Sequence, residues 1–450
     1  MMFKQVLLSF FLYAGLLLAT NGPAGAQSPT TAPRLEVERI DLLGRKKTRP
    51  QVIYRYLTFS LGDSITAADI ERSWTRLMQT GFFKQVEIYT RPGSARGKII
   101  VIVEVEERRW PYVQFEGGHS DLDGWYFVPL SVRFDNMLGR GQLWGIQFVL
   151  GDRVSKLRLT YSHPSIFDDA LNLGIELYGG SRDFIHYINA QELVQQVEMN
   201  GSKLRLGGNH GLLRYFFFEY RRATYTPSTQ ARYTQFDSVL TANRFPRALR
   251  ADLQATRVAA FALGLQADFR DNVHYPTSGL WGALAFEKAH EELGSDVNFN
   301  RYLADVRFYQ RMAGMAVVAL HARFTHASDD APFYQRFYLA GANSLRGYSE
   351  RRLTPVGYGN TLLLGQAELR LPFSGSRVRR PSAVGVLFFD IGGIWQTGAA
   401  IRYETMFRSV GFGFRFKLPI IGLMRFDFAF PLNKFEDKDF KLHLSLGHAF

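Results

Sequence analysis

The sequence predicts an all-β transmembrane barrel of about 16 antiparallel strands, preceded by one small N-terminal α+β domain. Three observations lead to this fold class. The chain begins with an apolar segment that has the form of an export signal. No later segment has the roughly 18 consecutive apolar residues that a helical membrane span needs. From Trp110 onward, successive segments alternate apolar with polar residues, which is the pattern of strands with two different faces.

Composition agrees with this fold and argues against several classes of function. The 450 residues include 38 Phe, 21 Tyr and 41 Gly, a mixture that suits many strands, aromatic girdles and tight turns. Cysteine is absent, which excludes a disulfide framework, a thiolate metal site and a cysteine nucleophile. The net charge of +13 is spread along the chain without a dense Lys/Arg run. This distribution favours contact with anionic lipid head groups, and no nucleic-acid partner is expected.

Residues 1–26 predict a signal peptide. Lys4 supplies a positive start, and Val6 to Thr20 is an apolar stretch of about 15 residues, which is short for a membrane span. Ala24-Gly25-Ala26 has the small-x-small pattern of a cleavage site, so the mature chain is expected to begin at Gln27. An uncleaved anchor helix is the alternative interpretation.

Residues 34–108 have a different pattern and predict a compact α+β domain with the order β-α-α-β-β. The predicted elements are a strand from Leu35, a helix over Lys47 to Leu57 with Thr48 as its N-cap, a helix over Ala67 to Gln79, a strand around Val86 and a strand over Ile99 to Val105.

Residues 110–450 are predicted to form the barrel, in which apolar side chains face lipid and the alternate side chains face the lumen. The clearest alternations lie in 125–135, 154–163, 409–418 and 440–450. In the first of these, the expected lipid-facing set is Tyr126, Val128, Leu130, Val132 and Phe134. Segment 181–200 has no clear pattern, and 225–252 is expected to be an external loop. A large soluble all-β protein is the alternative, but its enclosed face would be the apolar one.

The small domain resembles a POTRA module. It contains a turn at Gly44, a helix around Ile53, the pair Gly62-Asp63, a second helix, and then Thr80-Gly81-Phe82-Phe83-Lys84-Gln85-Val86 leading into a strand. This last phrase is quite specific for the module. The resemblance implies one POTRA domain over residues 34–108, located in the periplasm.

The barrel resembles that of the outer-membrane-protein-eighty-five superfamily of BamA/TamA type. Four motifs in the family's order carry the resemblance: Asp268-Phe269-Arg270-Asp271-Asn272 with Pro276 and Gly279, Gly341 to Tyr348, Phe389-Asp390-Ile391-Gly392, and Ser409 to Gly413 with Arg425-Phe426-Asp427. It covers essentially the whole mature chain. It implies a barrel over residues 110–450 in the cell outer membrane.

The resemblance also implies a structural network in the lumen. In the family, the loop that carries the Arg-Gly-Tyr tripeptide folds back into the barrel, and its arginine pairs with acidic residues of the inner wall. The matching residues here are Arg346, Gly347 and Tyr348 on the loop, and Glu368 and Asp390 on the wall. The alternation supports this independently, because both carboxylates are out of phase with their apolar neighbours. A guanidinium has a planar donor fork that suits two carboxylates.

The last residue, Phe450, is aromatic and in phase with the lipid-facing residues of its segment. This position resembles the recognition signal of outer-membrane barrel clients. Phe450 is therefore expected to act as an assembly signal for the chain itself.

The resemblance implies outer-membrane protein assembly or polypeptide translocation, in which client strands pair with the barrel seam and the POTRA sheet edge. The implied partners are the bilayer with its lipopolysaccharide and unfolded barrel or secreted clients, with periplasmic accessory proteins as candidates. A passive pore and a two-partner secretion transporter of the same superfamily are the alternatives. The sequence has no G-x-S-x-G elbow and no H-E-x-x-H motif, so neither an enzyme nor a cofactor or metal site is expected.

Overall fold

The computed structural model contains two compact units, and the division between them in the sequence follows Arg108. The predicted signal peptide and Phe450 lie outside the described residues. Within them, no helix is both long enough and apolar enough to cross a membrane. The described ranges are 35–108, 111–120, 124–166, 171–210, 213–235, 238–273, 275–312, 315–374, 382–418, 422–435 and 439–446.

The first unit is a four-stranded sheet with two helices packed against it. Strands β1 and β4 are parallel and central, and the sheet order is β2-β1-β4-β3. Both helices bury apolar side chains in one core with the sheet, including Ile53, Leu77 and Val101. The elements are β1 (Leu35–Leu43), α1 (Pro50–Tyr56), β2 (Ser64–Ile65), α2 (Ala67–Gln79), β3 (Phe83–Pro92) and β4 (Lys98–Glu107).

Two details of this unit differ from the sequence prediction. The short strand β2 was not predicted, because two residues are too few to show an alternation. Thr48 was predicted as a helix N-cap, and this is wrong: the N-cap of α1 is Arg49. Thr48 is instead buried, with its backbone N–H donated to Glu107 at 2.7 Å.

The carboxylate of Glu107, at the end of β4, closes the turn that leads into α1. It accepts hydrogen bonds from the backbone amides of Lys46, Lys47 and Thr48 at 2.7–3.1 Å. The same turn requires Gly44, which has φ +75° and lies so close to Val105 that a Cβ would sit 2.2 Å from its carbonyl oxygen. Converging amides of this kind form an anion-binding concavity, here occupied by a side chain of the protein.

Replacing Glu107 with glutamine is expected to loosen this turn in a pH-dependent way. Partial burial works to raise the pKa of Glu107, but the hydrogen bonds from Thr48, Lys47 and Lys46 outweigh it and the pKa is lowered. The stabilisation is therefore present above the pKa of the unfolded side chain and is lost as the pH falls through the lowered value. With solvent screening, we expect an effect of about 1 kcal/mol.

Hydrogen exchange of the 44–48 segment tests this expectation. Near neutral pH, these amides should exchange about fivefold faster in the variant, and the ratio should approach one once the pH has fallen through the lowered pKa of Glu107, where both side chains are neutral. A ratio that is unchanged by pH would show that the carboxylate charge does not hold the turn.

The second unit is a closed antiparallel barrel, as predicted. Sixteen strands with six or more described residues are present, together with the three-residue β12, and β21 lies beside β5 where the barrel closes. The strands are β5 (Tyr112–Ser120), β6 (Gly124–Asp135), β7 (Leu143–Gly151), β8 (Val154–Ile166), β9 (Leu171–Ile188), β10 (Gln191–His210), β11 (Leu213–Tyr233), β12 (Val239–Thr241), β13 (Thr256–Asp268), β14 (Gly279–Ala289), β15 (Phe299–Arg311), β16 (Val317–Ala327), β17 (Thr361–Ser374), β18 (Ala383–Trp395), β19 (Phe407–Leu418), β20 (Gly422–Pro431) and β21 (Lys441–Leu446).

Apolar side chains cover the outside of the barrel and charged side chains line the inside. On β19, Phe412 and Phe416 are exposed on the outer face, whereas Arg415 between them is buried in the lumen. On β21, Leu442 and Leu444 are exposed and His443 is buried. A soluble sandwich would show the opposite arrangement, so this pattern identifies the outer surface as the lipid-facing one.

The side-chain assignment of β6 was wrong in its first half. Trp125 and Phe127 are 41% and 54% exposed, whereas Val128 is 2% exposed, so the outward set begins on odd numbers. The pairing with β7 shifts register between Phe127 and Leu130. An extra residue in a strand reverses which side chains face out beyond it, and a simple alternation count misses this change.

The two segments with the least clear pattern both contain strand residues, and the predicted external loop differs from the structure in its start. Residues 181–200 belong to β9 and β10, which are 18 and 20 residues long. Strand β11 continues to Tyr233, so the predicted loop 225–252 begins too early. These long strands extend beyond the length that a bilayer core requires, about 9–11 residues, and their ends therefore lack a clear lipid-facing set.

Candidate functional site

The segment 328–360 connects β16 to β17 and lies inside the barrel; we call it the inner loop. Its apolar side chains, including Leu339, Leu345 and Tyr348, form a buried cluster with Leu362 and Leu364 of β17. An external loop in contact with water would not bury such side chains. The inner loop therefore occupies part of the lumen.

Arg346 attaches the tip of the inner loop to the barrel wall. Its Nε and Nη2 donate to the two oxygens of Asp390 on β18, each at 2.7 Å, and its Nη1 donates to Glu368 Oε1 on β17 at 2.8 Å. The guanidinium carbon also lies 3.6 Å from the ring centre of Phe388. Arg346 is 0% exposed. Both planar edges of the guanidinium are thus used, a geometry that lysine cannot reproduce.

Further charged residues of the wall extend this contact into a buried network. Arg415 Nη1 donates to Asp427 Oδ1 at 2.6 Å, and Asp427 Oδ2 lies 3.6 Å from Arg346 Nη1. Arg370 donates to Glu368, and Arg425 lies 3.2 Å from Asp427. We define the lumen network as Arg346, Glu368, Arg370, Asp390, Arg415, Arg425 and Asp427. Each charge in it lies beside at least one of opposite sign, which buried ions require.

Gly347 and Tyr348 fix the loop on the other side of Arg346. Gly347 has φ +91°, and a Cβ there would lie 3.0 Å from the Ser409 side chain, so a larger residue would be strained. Its N–H donates to His443 Nε2 on β21 at 3.0 Å. The Tyr348 hydroxyl donates to the carbonyl of Arg408 at 2.9 Å. The tripeptide therefore contacts the last strand of the barrel as well as β17 and β18.

A second set of contacts holds the inner loop to the facing wall. The Tyr358 hydroxyl donates to the carbonyl of Ile185 on β9 at 3.2 Å, and Phe333 packs edge-on against Phe184. Arg221 of β11 donates to Gln335 at 2.9 Å. Because the loop is attached to β9 and β11 as well as to β17 and β18, it crosses the lumen.

The structure brings Arg346, Glu368 and Asp390 together, with Gly347 and Tyr348 adjacent to them. Phe450 lies outside the described residues, so its proposed role as an assembly signal stays a prediction. The sequence prediction did not include Arg370, Arg415, Arg425, Asp427 or His443 in the site. The alternation along each strand does place these side chains on the inner face of the barrel. It does not show which of the inward-facing side chains contact one another.

The residues of this site attach the inner loop to the barrel wall. Its carboxylates are neutralised by neighbouring guanidinium groups and are fully buried. Among the described residues, no group of three or more His, Asp or Glu side chains could hold a metal ion. The network sets the position of the inner loop relative to β17–β21.

Comparison with known proteins gives a match along most of the chain. Residues 136–450 match the Omp85 superfamily domain, and residues 35–108 match the POTRA family, described as a surface antigen variable number repeat. The outer membrane protein assembly factor BamA of Nitratidesulfovibrio vulgaris is 23% identical over an alignment of 433 residues, which covers 93% of this chain and 52% of the relative. The chain thus spans about half the length of the curated relatives it matches.

Solved structures support the fold. The crystal structure of BamA from Haemophilus ducreyi lacking POTRA domains 1–3 aligns with a TM-score of 0.68 at 18% identity, covering 94% of this chain and 85% of that one. CdiB from Acinetobacter baumannii aligns with a TM-score of 0.56 at 14% identity, covering 92% and 73%. Since the superfamily domain spans well over half of the sequence, this chain belongs to the Omp85 superfamily.

Proposed function

We propose that this chain is an outer-membrane factor that assembles barrel proteins or moves polypeptides across the membrane, with its POTRA domain in the periplasm. The observation that carries the proposal is the joining of an Omp85 barrel to a POTRA domain in one chain. The relative from Nitratidesulfovibrio vulgaris, whose match covers 93% of this chain, is named an outer membrane protein assembly factor.

The POTRA sheet offers a first place for an unfolded client. Strand β3 lies at the edge of the four-stranded sheet with β4 as its neighbour, and it is ten residues long. An edge strand of this length presents backbone donors and acceptors to an extended chain. Its exposed side chains are mostly polar, including Lys84, Gln85 and Glu87, so a client would be held through its backbone and released readily.

The barrel closure offers a second place. Strand β5, which lies beside β21 where the barrel closes, has nine residues, whereas β10 and β11 have 20 and 21. A ladder on a nine-residue strand has fewer backbone hydrogen bonds to break than one between strands of 20 and 21 residues. The β5–β21 seam is therefore where we place client entry by β-augmentation.

The proposed partners follow from this route. They are the outer-membrane bilayer with its lipopolysaccharide, unfolded barrel or secreted polypeptides, and periplasmic accessory proteins. No enzymatic step and no cofactor takes part, because strand pairing exchanges hydrogen bonds and breaks no covalent bond.

Depletion of the protein in its source organism, followed by quantitative proteomics of the envelope, tests the proposal. We expect folded outer-membrane barrels or secreted polypeptides to decline before growth changes, and a plasmid copy of the wild-type chain should restore them. Unchanged envelope and secreted proteins, together with an ion conductance that disappears on depletion, would instead identify a passive pore.

A further inference from the structure

The lumen contains a large cavity apart from the attachment of Arg346. Its volume is about 790 Å³, which lies within the range of small-ligand sites. Side chains of β8–β11 and β14–β17 form its walls, and inner-loop residues 334–338, 343 and 344 cover it. We call this space the basic cavity, because of the charges that line it.

Positive charge predominates in the basic cavity. Eight cationic side chains line it against three carboxylates. The cations are Lys156, Arg158, Arg182, Lys203, Arg221, Arg301, Arg323 and Arg336, and the carboxylates are Glu176, Glu219 and Glu287. The lumen network on the facing wall, by contrast, has four arginines for three carboxylates. A cleft in which one sign of charge predominates concentrates ions of the opposite sign.

The carboxylates of the cavity are already shared among several cations. Glu287 pairs with Arg221 and also lies 3.6 Å from Arg301. Glu176 lies 3.6 Å from Lys156 Nζ and 3.5 Å from Arg158 Nε. Arg323 donates to Asp305 and Glu219 accepts from Arg205, and neither Asp305 nor Arg205 lines the cavity. With these two pairs set aside, the lining still has seven cations for two carboxylates.

Several donors in the cavity wall lack an acceptor. The Nε of Arg301 is buried and has no hydrogen-bond partner among the described residues, and the Nε of Arg158 is buried with only Glu176 Oε1 near it, 3.5 Å away and not hydrogen-bonded. Lys203 forms no salt bridge with a described residue and lies 5.7 Å from the ring centre of Tyr178. A buried donor without an acceptor is costly, about 1–3 kcal/mol, and more when it is charged. A bound oxyanion would supply the missing acceptors.

We infer that the basic cavity is a binding site for a multivalent anion of the phosphate class. Guanidinium forks and ammonium groups together recognise phosphate oxygens, the former as bidentate donors and the latter as point charges. The phosphate source is either a free periplasmic anion or the phosphate of a lipid. This site is separate from the strand-pairing surfaces at β3 and the seam, so it stands independently of polypeptide handling.

Equilibrium dialysis of inorganic pyrophosphate with the full chain in detergent, at constant ionic strength, tests the site. We expect saturable binding that Lys203→Gln weakens about tenfold, the effect of losing one charge-assisted contact. Lys288→Gln is the matched control, because Lys288 is exposed on the outer face of β14 and should leave binding unchanged. Glu176→Gln should strengthen binding, because it removes a competing carboxylate.

The source of the phosphate is distinguished by competition. Mixed micelles containing phosphatidic acid should displace pyrophosphate if the natural ligand is lipid-borne, and free phosphate anions alone should do so if it is soluble. The absence of saturable pyrophosphate binding by the wild-type chain would overturn the inference, whatever the variants do. Equal binding by wild type, Lys203→Gln and Glu176→Gln would also overturn it.

Discussion

Replacing Arg346 with alanine is expected to lower the free energy of unfolding of the barrel by about 3–5 kcal/mol. The substitution would leave Asp390 and part of Glu368 buried without their main cation, and the inner loop would lose its attachment to β17 and β18. Urea unfolding in detergent or vesicles, followed by the heat-dependent mobility shift of the barrel, measures the loss. The proposed assembly activity should fall in parallel.

Two further variants separate charge from geometry. Arg346→Lys keeps the positive charge but not the double contact with Asp390, so its stability should lie between wild type and alanine. The double variant Arg346→Met with Asp390→Leu removes both charges. It should recover part of the lost free energy of unfolding, because no unpaired carboxylate remains buried at position 390. Wild-type unfolding and full complementation by Arg346→Ala would refute the role of the network.

The second large effect is expected on the lipid-facing surface. Leu284 stands at the middle of β14 and is 57% exposed on the outer face. Replacement by arginine places a charge near the middle of the bilayer, which costs about 2–4 kcal/mol in barrels of this kind. Unfolding from phospholipid vesicles should show this loss as a lowered midpoint.

The neighbouring position supplies the matched control. Ala285 faces the lumen, pairs with Gly264 and Leu303 on the adjacent strands, and precedes Glu287 by two residues. Ala285→Arg adds the same charge inside the barrel and should cost less than half as much. Equal losses in the two variants would contradict the assignment of the outer face.

The fold was largely predictable because lipid and lumen impose opposite demands on successive side chains. Segments 154–163 and 409–418 show this alternation most clearly. Both form strands in the expected phase, with Leu157, Leu159, Phe412 and Phe416 exposed on the outer face and Arg415 buried. Two features of the barrel could not be predicted from this alternation. The irregularity near Phe127 reverses the phase within one strand, and the ends of β9–β11 extend past the bilayer, where no apolar face is required.

The site was predictable only in part. Arg346, Glu368 and Asp390 came from a family motif, with the inward phase of the two carboxylates as support. Asp427 and Arg415 have the same phase, but the register between β19 and β20 decides their contact with each other. The basic cavity depends on side chains from distant strands, and a sequence pattern within one strand does not contain that information.

Client capture at the barrel seam is the central claim, and site-specific photo-crosslinking tests it most directly. A photoreactive residue is placed in turn along Tyr112–Ser120 of β5, and as a control along Gly279–Ala289 of β14, which is paired on both sides. The account predicts crosslinks to newly exported polypeptides from β5 during assembly and none from β14. Crosslinks of equal yield from both strands, or none from β5 while envelope assembly proceeds, would contradict it.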